Sequence, residues 1–126
     1  GGAESWLLSA IDHQSSNRLE ISAILLADGP LRTELETRGI PVTVRRVGRT
    51  GDGNPKRDPD VVLANGVKAA AVASPAALLA GVRSVWVKHD HSFDGRLTRW
   101  LGKISSRVVA TSAQVAEGAD RSDVVI

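Results

Sequence analysis

His89 and Asp90 stand together after an apolar run and open a polar stretch that reaches Gly95. An imidazole ionises near neutrality, so a histidine there can donate a hydrogen bond to a substrate hydroxyl or share its proton. The carboxylate beside it can orient the ring or accept from an incoming hydroxyl. The plainer alternative for both is a polar loop with capping duties. His91 completes a His-Asp-His triplet, and residues two apart on an extended segment face the same way, which raises the question of zinc. His13 is the one other histidine and the chain has no cysteine, so no metal site is expected.

Gly1 and Gly2 precede a helical stripe, and backbone amides at a helix N-terminus can approach a phosphate closely when no side chain intervenes. A tight turn that needs glycine would look the same. Glu4 reads as a first-turn carboxylate complementing the helix dipole. Asn65 and Gly66 end a short apolar run, either facing a ligand or forming a turn that tolerates positive φ. Ser112 ends a later run, where it reaches a ligand or caps the helix that follows.

The elements that must carry these residues alternate. A helix is expected over residues 3–14, a strand over Leu19 to Leu26, and a short helix over Leu31 to Arg38 closed by Gly39. A strand over Ile40 to Val47 then leads into a loop from Gly48 to Pro59, rich in glycine, proline and charge. Strand Val61 to Ala64 follows, then an alanine-rich helix from Val67 to Ala80 in which Ser74-Pro75 would cap a restart. Strand Val82 to Val87, loop Lys88 to Gly95, helix Arg96 to Ile104, strand Arg107 to Thr111, helix Ser112 to Gly118 and a last strand from Asp123 complete the order. Most strands are continuously apolar, as expected when both sheet faces are covered, and the order is that of a doubly wound, mostly parallel α/β sheet. In such sheets a central first strand feeds the glycine turn. The chain begins at the turn, so the first strand is expected to be missing.

At 126 residues the chain has the size of one domain with one core. It has no apolar run long enough to span a bilayer and no signal-peptide pattern, which with the lack of cysteine suggests a cytoplasmic protein. A net charge of +2 and an aromatic content of 3% leave few stacking platforms, so nucleic acid is not an expected partner. Trp6, Trp86 and Trp100 fall at core-like positions and read as packing residues.

Four stretches in this order, Gly1-Gly2-Ala3-Glu4, Asp60 to Gly66 (DVVLANG), Val85 to Asp90 (VWVKHD) and Val108 to Ser112 (VVATS), resemble the N-terminal domain of GT-B-fold retaining glycosyltransferases of family four. The resemblance runs over almost the whole chain. It implies a Rossmann-like domain on the acceptor side of an enzyme that moves a sugar, with retention, from a nucleotide-sugar donor to a glycan, lipid or small-molecule acceptor, with no cofactor and no obligatory metal. His89 and Asp90 would then lie near the transferred sugar as the catalytic pair. Gly1 and Gly2 would meet the donor pyrophosphate, and Asn65, Gly66 and Ser112 would line the same crevice. The nucleotide would be held by a C-terminal Rossmann-like domain of the same parent chain. The 126 residues are thus expected to be a fragment, inactive by themselves. Since several members act on lipid-linked acceptors, Arg45, Arg46, Arg49, Lys56 and Arg57 suggest peripheral membrane contact, with a solvated loop as the alternative. The rival class is a stand-alone, non-catalytic α/β module that binds a phosphorylated ligand. A dinucleotide-dependent oxidoreductase is disfavoured, because Glu4, Ser5 and Trp6 stand where the three-glycine fingerprint would continue.

Overall fold

The structure, a computed structural model, describes residues 2–14, 19–45, 59–89 and 95–118. Gly1, Asp90, His91, most of the expected 48–59 loop and the strand expected from Asp123 lie outside these. The chain divides into two compact units, Gly1–Lys56 and Arg57–Ile126.

The first unit contains helix α1 (Gly2–His13), strand β1 (Ala23–Leu25), helix α2 (Pro30–Thr37) and strand β2 (Val42–Val44). β1 and β2 pair in parallel, Ala23 against Val42 through Leu25 against Val44. Both strands are shorter than their apolar runs, because only the stretch with a facing partner forms a ladder. Proline at the first turn starts α2, and Leu35 and Ile40 are its buried apolar anchors. Arg38 ties the helices together. Its Nε and Nη2 donate to the two carboxylate oxygens of Asp12 at 2.7 and 2.9 Å, and its Nη1 donates to Glu34 Oε2 at 3.0 Å. This two-pronged geometry is the strong form of an ion pair. The hydrogen bonds from Arg38, helped by its charge, hold the Asp12 carboxyl below the usual carboxylate range against the opposing effect of desolvation.

The second unit contains β3 (Val61–Asn65), helix α3 (Val67–Ala80), β4 (Arg83–Lys88), helix α4 (Arg96–Ile104), β5 (Arg107–Ala110) and helix α5 (Ala113–Glu117). Its three strands form a parallel sheet in the order β3-β4-β5, with Ala64 against Trp86 and Trp86 against Val108. Parallel crossovers are right-handed by rule, and two in succession across the order β3-β4-β5 put α3 and α4 on one face. There Trp86, Ala64, Ala70, Leu101 and Val108 form the buried cluster. Gly81 closes α3 in the left-handed region, φ +70°, and the Val82 N–H returns to Ala77 O at 2.8 Å.

Three expectations are corrected. α3 runs unbroken through Pro75, so Ser74 is no cap: it is fully buried, its hydroxyl 3.3 Å from that of Ser105 on the neighbouring helix end. Pro75 has no N–H to donate and leaves one helix hydrogen bond of α3 unmade. The sheet is not covered evenly, since Val61 and Leu63 on its other face remain about half exposed. Of the tryptophans, Trp86 is fully buried and Trp6 partly so, but Trp100 is 47% exposed and is not a core residue.

The Trp86 indole N–H is buried with no hydrogen-bond partner among the described residues. Trp86→Ala should therefore cost roughly 3 to 5 kcal/mol in chemical denaturation, the range for emptying a large core site. Trp86→Phe, which also removes the unpaired donor, should cost under about 2 kcal/mol. Equal losses would mean that the N–H has a partner. In the first unit, a carboxyl whose pKa is depressed on folding stabilises above its unfolded pKa, and that stabilisation disappears as pH falls through the folded value. Arg38→Gln should accordingly flatten the acid-side loss of stability in pH-dependent melts; an unchanged acid limb would show that the pair contributes nothing.

Candidate functional site

In a parallel sheet the carboxyl ends of adjacent strands converge on one edge, where open α/β proteins bind ligands. In the second unit this edge gathers Asn65 and Gly66 at the end of β3, Lys88 and His89 at the end of β4, and Thr111 and Ser112 after β5. Hydrogen bonds to backbone carbonyls lace it together. Gly66 N–H donates to Val87 O at 2.9 Å, Thr111 N–H to Lys88 O at 3.2 Å, and the Thr111 hydroxyl to His89 O at 3.1 Å.

The register explains the central contact. Asn65 pairs with Val87, and His89, two residues further on and just past the end of β4, projects from the same side of the pleat. The two side chains are diagonal neighbours. His89 Nε2–H donates to Asn65 Oδ1 at 2.6 Å. A carbonyl oxygen only accepts, so this bond places a proton on Nε2, and in the neutral ring the remaining lone pair belongs to Nδ1. Asn65 thus selects the tautomer of His89 as well as its orientation.

Gly66 has φ +98°, a conformation side-chain-bearing residues rarely adopt, although no described atom lies within 4 Å of where its Cβ would stand. Backbone geometry and not crowding calls for glycine here. It is also the residue from which α3 starts, its carbonyl accepting from Ala70 N–H at 3.0 Å. Ser112 turns out to be the cap of α5, its Oγ accepting from Val115 N–H at 3.3 Å.

Of the expected site residues, Asn65, Gly66, His89 and Ser112 converge at this edge. Gly2 belongs to the other unit, where it is the first residue of α1, and no described atom lies within 4 Å of where its Cβ would stand. Gly1 and Asp90 lie outside the described residues. Lys88 was missed by the sequence reading: it is buried, at 2% exposure, directly before His89. The signal was a lone cation ending the apolar run VWVK. Arg45 follows β2 in the first unit, and the rest of the basic cluster, from Arg46 to Arg57, lies outside the described residues.

No protein-family model and no curated protein matches this chain. Among solved structures it is similar to Anabaena HepE in complex with UDP, with a TM-score of 0.74 and 25% identity. The match covers 98% of this chain and 39% of that one, so the chain spans well under half the length of that structure. The fold is thereby α/β with parallel sheets, Rossmann-like, matching part of a GT-B glycosyltransferase.

If Asn65 selects the tautomer of His89, nitrogen NMR of the imidazole at neutral pH should find Nε2 protonated in the native protein. In Asn65→Leu that bias should disappear while the fold persists. Identical tautomer populations in the two proteins would show that the contact has no such role.

Proposed function

We propose that this chain is the acceptor-side domain of a glycosyltransferase that moves a sugar from a nucleotide-sugar donor to a glycan, lipid or small-molecule acceptor with retention. The observation that carries this reading is the likeness over 98% of the chain to part of a structure bound to UDP. The Asn65–His89 pair at the carboxyl edge adds to it, since this is where such sheets present reacting groups.

In this reading the acceptor oxygen forms a bond to the anomeric carbon as the bond from that carbon to the donor phosphate breaks. The nucleoside diphosphate leaves with the electron pair. His89 and Asp90 are the groups assigned to the acceptor side of the exchange. His89, held in place by its bond to Asn65, is assigned to accept the hydrogen bond or proton of the acceptor hydroxyl. Asn65 is then a positioning residue, and Gly66 supplies the backbone bend that lets α3 start beside it. Gly1 and Gly2 are assigned to the donor pyrophosphate through the amides that open α1. The nucleotide itself is assigned to a second Rossmann-like domain of the parent protein, so these residues by themselves would not turn over substrate.

The test uses the complete parent protein and this chain in parallel. His89→Ala in the parent should lower turnover by at least about a hundredfold, the range for a positioned acid-base group. Unchanged turnover removes His89 from the chemistry. By calorimetry the isolated chain should bind UDP only weakly, with a dissociation constant of about a millimolar or more. Micromolar binding by the isolated chain would instead establish a stand-alone nucleotide-binding module.

A further inference from the structure

Successive residues of a central parallel strand send their backbone groups to opposite neighbours. β4 follows this rule to its end. Val87 O accepts from Gly66 N–H on the β3 side at 2.9 Å, and Lys88 O accepts from Thr111 N–H on the β5 side at 3.2 Å. The next carbonyl, that of His89, is due on the β3 side again. It is held on the β5 side instead, where the Thr111 hydroxyl donates to it at 3.1 Å.

The reason lies in β3. That strand ends at Asn65 and α3 begins at Val67, so the chain beside β4 has already turned away and offers no further rung. The His89 carbonyl therefore leaves the alternation. One residue, Thr111, collects two consecutive carbonyls, the first with its amide and the second with its side chain. Thr111 is itself well anchored, since Ala110 before it is paired with Lys88 and Ser112 after it caps α5.

A carbonyl's direction is set by the ψ angle of its own residue, and a ring's position by the χ angles. Asn65 holds the His89 ring from β3, and Thr111 holds the His89 main chain from β5. The residue is gripped from both neighbouring strands. We propose that Thr111 is a positioning residue for His89 in the transfer reaction, acting through the main-chain carbonyl at which β4 ends. This rests on the reading in which His89 serves the acceptor. The device needs a hydroxyl: valine keeps the shape of threonine but cannot donate, whereas serine keeps the donor.

Steady-state kinetics of the complete parent protein test it. Thr111→Val should lower kcat about tenfold and change KM by less than about twofold, and Thr111→Ser should recover most of the loss. Thr111 is exposed, so both variants should melt cooperatively near the native temperature. In the His89→Ala background Thr111→Val should cost nothing more, because the group that it positions is gone. Losses that multiply in the double variant, or an equal loss in Thr111→Ser, would overturn the proposal. So would full turnover in Thr111→Val while His89→Ala is slow, an outcome that leaves the proposed function standing. Full turnover in His89→Ala removes that function's use of His89 and this inference together.

Discussion

Trp86 sits in the middle strand of a three-stranded parallel sheet and its burial fixes what can lie on either side. With Ala64 and Val108 directly opposite it and Ala70 and Leu101 above, this register places the largest buried side chain of the unit out of water. A slip of one residue would turn the indole to the other face and bring Val85 or Val87 into a space shaped for a double ring. The small residues Ala64 and Ala70 are the counterpart of this: they leave the volume that the indole fills.

The candidate site follows from that register. Once Trp86 faces the helices, Val87 and His89 face the opposite side, and Asn65, paired with Val87, must share that side with the imidazole. The hydrophobic choice made at the core therefore determines a polar contact at the edge. Gly66 and Thr111 complete the edge from the neighbouring strands by backbone bonds, to which the Thr111 hydroxyl adds one. The first unit is stabilised differently, with few buried apolar residues and an arginine whose guanidinium bridges α1 and α2.

Much of this was legible beforehand because the signals are local. Alanine-rich composition between Gly66 and Gly81 bounds α3 at both ends, and the period of α4 places its limits at Arg96 and Ile104. The carboxyl ends of the β3 and β4 runs identified Asn65, Gly66 and His89 as neighbours of one crevice, since strand order in a parallel sheet makes such ends converge. Strand lengths were less legible, as a β-branched run does not say how many of its residues will find a partner: Leu19 to Leu26 yields a ladder of only Ala23–Leu25.

Composition and spacing by themselves determined the α/β alternation, the parallel sheet and the edge to which chemistry could be assigned. Only the tertiary structure decided which of two equally periodic stripes of α4 faces the core, because i, i+3, i+4, i+7 is satisfied by Thr98, Leu101, Gly102 and Ser105 as well as by Arg96, Arg99, Trp100 and Lys103. Residue type pointed to Trp100 as the buried one. With Trp86 already in the cluster, Leu101 is the α4 side chain that packs there, and the second indole is turned to solvent. The Asn65–His89 hydrogen bond, between residues 24 apart in the chain, likewise exists only through the pairing register. Each strand's own sequence specifies which residues alternate, but not which residue of the neighbouring strand they meet.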